Sequence, residues 1–90
     1  MNESVLNMMD KIPEGYSEGI YCGTKYGITK TFFNKGKSLK IFGKALGGSD
    51  FVSFNYYFIK NEGLLKPCEM PESKVIDFLQ KLMLTPDKEQ

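Results

Sequence analysis

Between the turn residues Gly47-Gly48-Ser49 and Asn61-Glu62-Gly63 lies DFVSFNYYFIK, residues 50–60. Its aromatic and β-branched side chains suit a pleated surface, and its length between turn signals suits one strand. Alternation puts Val52, Phe54, Tyr56 and Phe58 on one face and Phe51, Ser53, Asn55, Tyr57 and Ile59 on the other. Both faces carry large residues, which predicts a central strand of a sheet. A single covering helix hides only one such face. The other is then closed by curling the sheet towards a barrel or by a second subunit, so a homodimer through the sheet faces or edges is expected.

Working back towards the N-terminus, SLKIFGKAL (38–46) alternates in the same way, with Leu39 and Ile41 on one side and Lys40, Phe42 and Lys44 on the other. Its last residues, GKAL, are also compatible with a helical turn. Asn34-Lys35-Gly36-Lys37 reads as a turn, Gly36 being free to take positive φ. KYGITKTFFN (25–34) sets Tyr26, Ile28 and Phe32 against Lys25, Gly27, Thr29 and Thr31. Gly23-Thr24 separates it from EGIYCG in a hairpin, and PEGYSEG before that is turn chemistry. NESVLNMMDKI spaces Val5, Leu6, Met9 and Ile12 as a short helix does, with Asn2 or Ser4 as N-cap and Pro13 as a stop.

On the C-terminal side, GLLKP forms a fifth strand whose Pro67 favours an edge or a strand end. Pro71 fits the first position of a helix and Glu72 its positive end. Val75, Ile76, Leu79, Leu82 and Met83 make one apolar stripe with Phe78 beside it, and Thr85-Pro86 ends the helix. The expected fold is α+β: a five-stranded antiparallel meander with a short N-terminal helix and a C-terminal helix packed on one face. Residues 1–90 make a single domain, with helix over 1–12, sheet over 18–67, helix over 71–84 and a tail over 85–90.

The chain contains no histidine, which removes Ser-His-Asp and Cys-His nucleophiles, the HExxH zinc motif and the usual proton shuttle at neutral pH. Cys22 and Cys68 lack CxxC spacing, so neither a zinc site nor a disulfide framework is indicated. No metal or cofactor is expected. No run is long and apolar enough for a membrane span, and MNESVLNMMDK lacks the basic-then-apolar order of a signal peptide, which predicts a cytoplasmic protein without a membrane partner.

Charge is unevenly distributed along the chain. Residues 19–49 hold Lys25, Lys30, Lys35, Lys37, Lys40 and Lys44 and no acid, whereas residues 1–18 hold one lysine and four acids, and residues 50–90 five lysines and seven acids. A lysine-rich sheet face meets phosphates, and an exposed Phe42 between Lys40 and Lys44 offers a surface on which a base stacks. Tyr26 or Tyr57 serves similarly wherever it faces outward. Against this reading, lysines on edge strands also block sheet-to-sheet association, and the chain has no arginine for bidentate phosphate contacts. Gly47-Gly48-Ser49 lacks the surrounding pattern of a phosphate-binding loop and reads as a turn.

YGITKTFFN, GKS, LGGSDFVSFNYY and LKPCEMPESKVIDFL together resemble a group of short, mostly uncharacterised bacterial proteins, some of which are labelled peptide methionine sulfoxide reductase. The resemblance covers about residues 12–82. That label implies a thiol-dependent oxidoreductase, yet the cysteines here sit in YCGT and KPCEM, not in Gly-Cys-Phe-Trp, and the chain has no tryptophan. From the residues themselves, Cys68 stands before a helix N-terminus and near Lys66, both of which favour a thiolate; Cys22 would be its resolving thiol if their strands were adjacent. The sequence therefore predicts a non-enzymatic binding module. Its ligand is nucleic acid at Lys40, Phe42 and Lys44, with Lys25, Lys30, Lys35 and Lys37 as electrostatic support, or an unknown protein partner. The thiol enzyme is the alternative.

Overall fold

The computed structural model describes residues 4–59 and 62–85. Helix α1 (Val5–Asp10) leads into strands β1 (Gly15–Tyr21), β2 (Thr24–Phe33), β3 (Ser38–Ala45), β4 (Phe51–Ile59) and β5 (Glu62–Pro67), then α2 (Glu72–Lys81) and β6 (Met83–Leu84). The sheet is open and antiparallel, ordered β5-β4-β3-β2-β1-β6. The first five strands form the expected meander. The sixth strand departs from the sequence expectation: the helix stops at Lys81 instead of running to residue 84, because Leu82 turns extended and lets Leu84 and Met83 pair with Gly19 and Ile20. Met83 therefore leaves the apolar stripe and is 70% exposed.

Three local features explain the turns. Cys22 and Gly23, not Gly23 and Thr24, form the first hairpin loop, and both have positive φ, as a two-residue primed turn requires. β1 begins at Gly15, so all but the first two residues of PEGYSEG, read as turn chemistry, are already strand. Asn34, Lys35 and Gly36 all take positive φ in a tight 3₁₀ turn before β3. GKAL continues as strand as far as Ala45. The predicted Asn61-Glu62-Gly63 turn, the alternative N-cap Asn2 and the tail from 86 onward lie wholly or partly outside the described residues.

Strand parity explains the core. Tyr26, Ile28, Leu39, Ile41, Val52 and Phe54 point to one face, where Met9, Ile12, Val75, Phe78 and Leu79 from the two helical segments meet them. Ser4 caps α1 by accepting from the Asn7 amide at 3.1 Å. Pro71 is the N-cap of α2 and makes no side-chain cap bond, one residue earlier than the sequence suggests. Phe78 packs edge-on to Tyr21 and Tyr26, with ring centroids 5.0 and 5.5 Å away. Burying such rings stabilises the helix on the sheet by roughly 0.5–1.5 kcal/mol per pair beyond the area effect.

Two further ties hold α2 in place. Tyr21 donates to Asp77, which also receives Lys81 at 3.0 Å, and Tyr26 and Lys74 both donate to Asp50. Burial, then the bond to Asp50, pushes the Tyr26 phenol up to about 12. Among the described residues no helix is long and apolar enough to cross a membrane.

Candidate functional site

Both helices cover the same face, so the opposite face of β2, β3 and β4 has no covering element among the described residues. The register places its side chains in rows. Gly27, Lys44 and Phe51 form one row, Thr29, Phe42 and Ser53 the next, then Thr31, Lys40, Asn55 and Lys66, then Phe33, Ser38, Tyr57 and Leu64. Along β3 the alternation sets Phe42 between Lys40 and Lys44, as the sequence predicts. Phe42 is 38% exposed, and its ring lies 6.2 Å from that of Phe51, tilted by 31°. Strands β2 to β4 contain no acid, so nothing on them neutralises these lysines. Lys40, Lys44 and Lys66 form no ion pair with a described residue.

At the β1 end of this face, Tyr16 lies over Gly27, where any Cβ would fall 2.6 Å from the Tyr16 oxygen. Its hydroxyl donates to Glu18 at 2.9 Å, and that bond leads the causes that raise its pKa. Glu18 also meets Lys25 at 3.4 Å. Lys25 therefore borders the face with its charge partly answered.

Other sequence-predicted residues lie elsewhere. Lys30 has the parity of Tyr26 and Ile28, so it enters the core: it is 5% exposed, and its Nζ donates to Met9 O and Ile12 O, both at 2.9 Å. Burial lowers its pKa, against the opposing pull of Asp10 and Glu14. It holds the end of α1 to the sheet and does not contribute to the lysine face. Tyr26 also faces inward, whereas Tyr57 faces out. Lys35 and Lys37 sit on and beside the 3₁₀ turn at the end of the sheet, not on its face.

The two cysteines are free and are not brought together. Cys22 occupies the β1–β2 turn, while Cys68 extends the β5 ladder by donating its amide to Ser53 O at 2.9 Å. Strands β4 and β3 stand between β5 and β2, a separation of about 14 Å at the usual strand spacing, and a disulfide needs Cα atoms within about 7 Å. Cys68 Sγ instead accepts a weak bond from Asn55 Nδ2 at 3.7 Å, on the open face.

Sequence reasoning does not connect Asn55 and Lys66 with Lys40. Parity assigns each to a face, but only the pairing register puts the three in one row. Compared with known proteins, the chain matches no family model, no curated sequence and no solved structure.

Proposed function

We propose that this chain is a non-enzymatic binding module whose uncovered sheet face binds nucleic acid. The observation that carries the reading is the line Lys40, Phe42, Lys44, half-buried at Lys40 and exposed at the other two, on a face to which β2, β3 and β4 bring no acid. Lysines there neutralise phosphates, and an exposed ring between them stacks a base for roughly 1–3 kcal/mol. Phe51 and Tyr57 extend the aromatic surface, and Lys66 extends the positive charge onto β5.

Charge also argues against covering this face with a second copy of the chain, since two such faces would oppose lysine to lysine. A homodimer is better accommodated at the outer edge of β5. The thiol-dependent alternative is less supported, because Cys68 as nucleophile would have no resolving thiol beside it. The reading places the protein in the cytoplasm, where thiols stay reduced.

The test is fluorescence anisotropy of labelled single-stranded and duplex DNA across a salt series. Binding that weakens log-linearly with salt and collapses in Phe42→Ala is the expected result. No binding at low salt would make these lysines solvating residues and leave the face to a protein partner.

A further inference from the structure

The two borders of the sheet are unlike. At one, β6 and the Thr85 amide cover Glu18 to Ile20 of β1. At the other, β5 pairs with β4 and with no further strand among the described residues. Such an edge is a template for another strand, and β5 carries few of the usual guards, Lys66 and, at its last residue, Pro67. Its backbone orientation is fixed. The Cys68 amide donates to Ser53 O and the Phe58 amide to Lys37 O, each at 2.9 Å, so odd residues of β4 turn their backbone groups to β5 and even residues turn theirs to β3. Glu62, Leu64 and Lys66 are therefore the β5 residues bonded to β4. Gly63 and Leu65 direct N–H and C=O outward, and Pro67, which has no N–H to lose, falls on the outward side as well.

Building on the edge assigned above to a homodimer, we infer that β5 pairs antiparallel with β5 of a second copy about a two-fold axis at Leu64. Symmetry selects this register. An axis at Leu65 sets Gly63 opposite Pro67, where a donor is missing, and an axis at Gly63 carries Lys66 past the end of the other strand. Axes at Glu62 or Lys66 oppose like charges. With the axis at Leu64, Gly63 of each copy faces Leu65 of the other, so each outward N–H of these residues meets an outward C=O. Lys66 then stands opposite Glu62 of the other copy, a cross-strand pair of opposite charge that the symmetry repeats. Leu64, 42% exposed in the single chain, faces its own counterpart, with Tyr57 of each copy next in the row.

The axis is perpendicular to the sheet, so two six-stranded sheets join into one with both open faces on the same side. The lines Lys40-Phe42-Lys44 of the two copies then share a surface. The contact is also closed, because it uses up both β5 edges and leaves the two-residue β6 at either border.

The experiment is sedimentation equilibrium over a concentration series for the wild-type chain, Leu64→Lys, Lys66→Glu, and the exchange that combines Glu62→Lys with Lys66→Glu, with circular dichroism to show that each variant is folded. The wild type should approach twice the 10.2 kDa of one chain as concentration rises. Leu64→Lys, which brings two like charges together on the axis, should stay monomeric where the wild type is dimeric. Lys66→Glu should raise the dissociation constant roughly tenfold or more, since both pairs of opposite charge become pairs of like charge, and the exchange should restore it. A monomer at every concentration would overturn the inference and the homodimer with it, leaving the nucleic-acid reading untouched. A dimer indifferent to Leu64→Lys, or an exchange that fails to rescue Lys66→Glu, would overturn this register and move the dimer to another surface. Should Leu64→Lys not fold, the series at the exposed Lys66 decides alone.

Discussion

The hydroxyl of Tyr21, at the end of β1, donates to the carboxylate of Asp77 in α2 at 2.5 Å. Asp77 is held below the usual carboxylate range first by that bond and then by Lys81. Asp50 is lowered first by Lys74 and then by Tyr26. A carboxyl whose folded pKa lies below its unfolded value stabilises the fold above the unfolded value, and this is lost as pH falls through the folded one. Resistance to urea should therefore hold down to about pH 4 and decline below it, the unfolded Asp value being near 3.9. The double variant Asp50→Asn, Asp77→Asn should start lower at neutral pH and decline less steeply in acid. Parallel curves for the two proteins would remove these bonds from the explanation.

Lys30 is expected to matter for stability and not for binding. Lys30→Met keeps the stem in the core and removes the donor shared by Met9 O and Ile12 O. Met9 O keeps the Ile12 amide as a donor, whereas Ile12 O loses its donor, and leaving that buried carbonyl without a partner costs about 1–3 kcal/mol, which a shift in the urea midpoint reports. An unchanged midpoint would show that water replaces the ammonium without loss.

The lysines on the face and at the turn should separate cleanly. Lys40→Glu with Lys44→Glu should flatten the dependence of DNA affinity on salt by roughly one unit for each phosphate that is no longer neutralised. Lys35→Glu with Lys37→Glu, at the end of the sheet, should change it little. Equal effects from both pairs would mean diffuse attraction without a defined surface.

Two glycines of neighbouring strands should respond unequally. A Cβ at Gly43 would lie 3.2 Å from Cζ of Phe78, a fully buried ring held by Tyr21 and Tyr26. Gly43→Val is expected to cost about 1–3 kcal/mol by overpacking. At Gly27 the obstacle is the exposed end of Tyr16, which can swing aside, so Gly27→Ala should stay within about 0.5 kcal/mol of wild type. Thermal melts of the two variants make the comparison.

Most of the sheet is legible in the sequence because its strands alternate and its turns carry Gly, Asn or Ser. Leu39, Ile41, Val52 and Phe54 all lie on the face that parity assigns them. Lys30 is misjudged when lysines are counted without regard to parity: the same alternation that puts Tyr26 and Ile28 inside puts Lys30 inside, where carbonyls of the N-terminal segment compensate its burial. β6 is not legible, since two residues contain no period, and Leu82 and Met83 continue the helical stripe before the backbone extends. The line Lys40-Phe42-Lys44 is readable within one strand. Its conjunction with Asn55 and Lys66 is not, because pairing register belongs to the whole sheet.

Strand β6 also bears on how the chain assembles. Among themselves, strands β1 to β5 join only sequence neighbours, so that part of the sheet can grow hairpin by hairpin at little loop-closure cost. Gly19 and Leu84 are 65 residues apart, and they meet only after α2 has crossed the sheet from the β5 side to the β1 side. The two-residue strand is therefore a late-closing clasp that fastens the C-terminal segment to the first hairpin. Its amides should be the first in the sheet to exchange with solvent, long before those of β3.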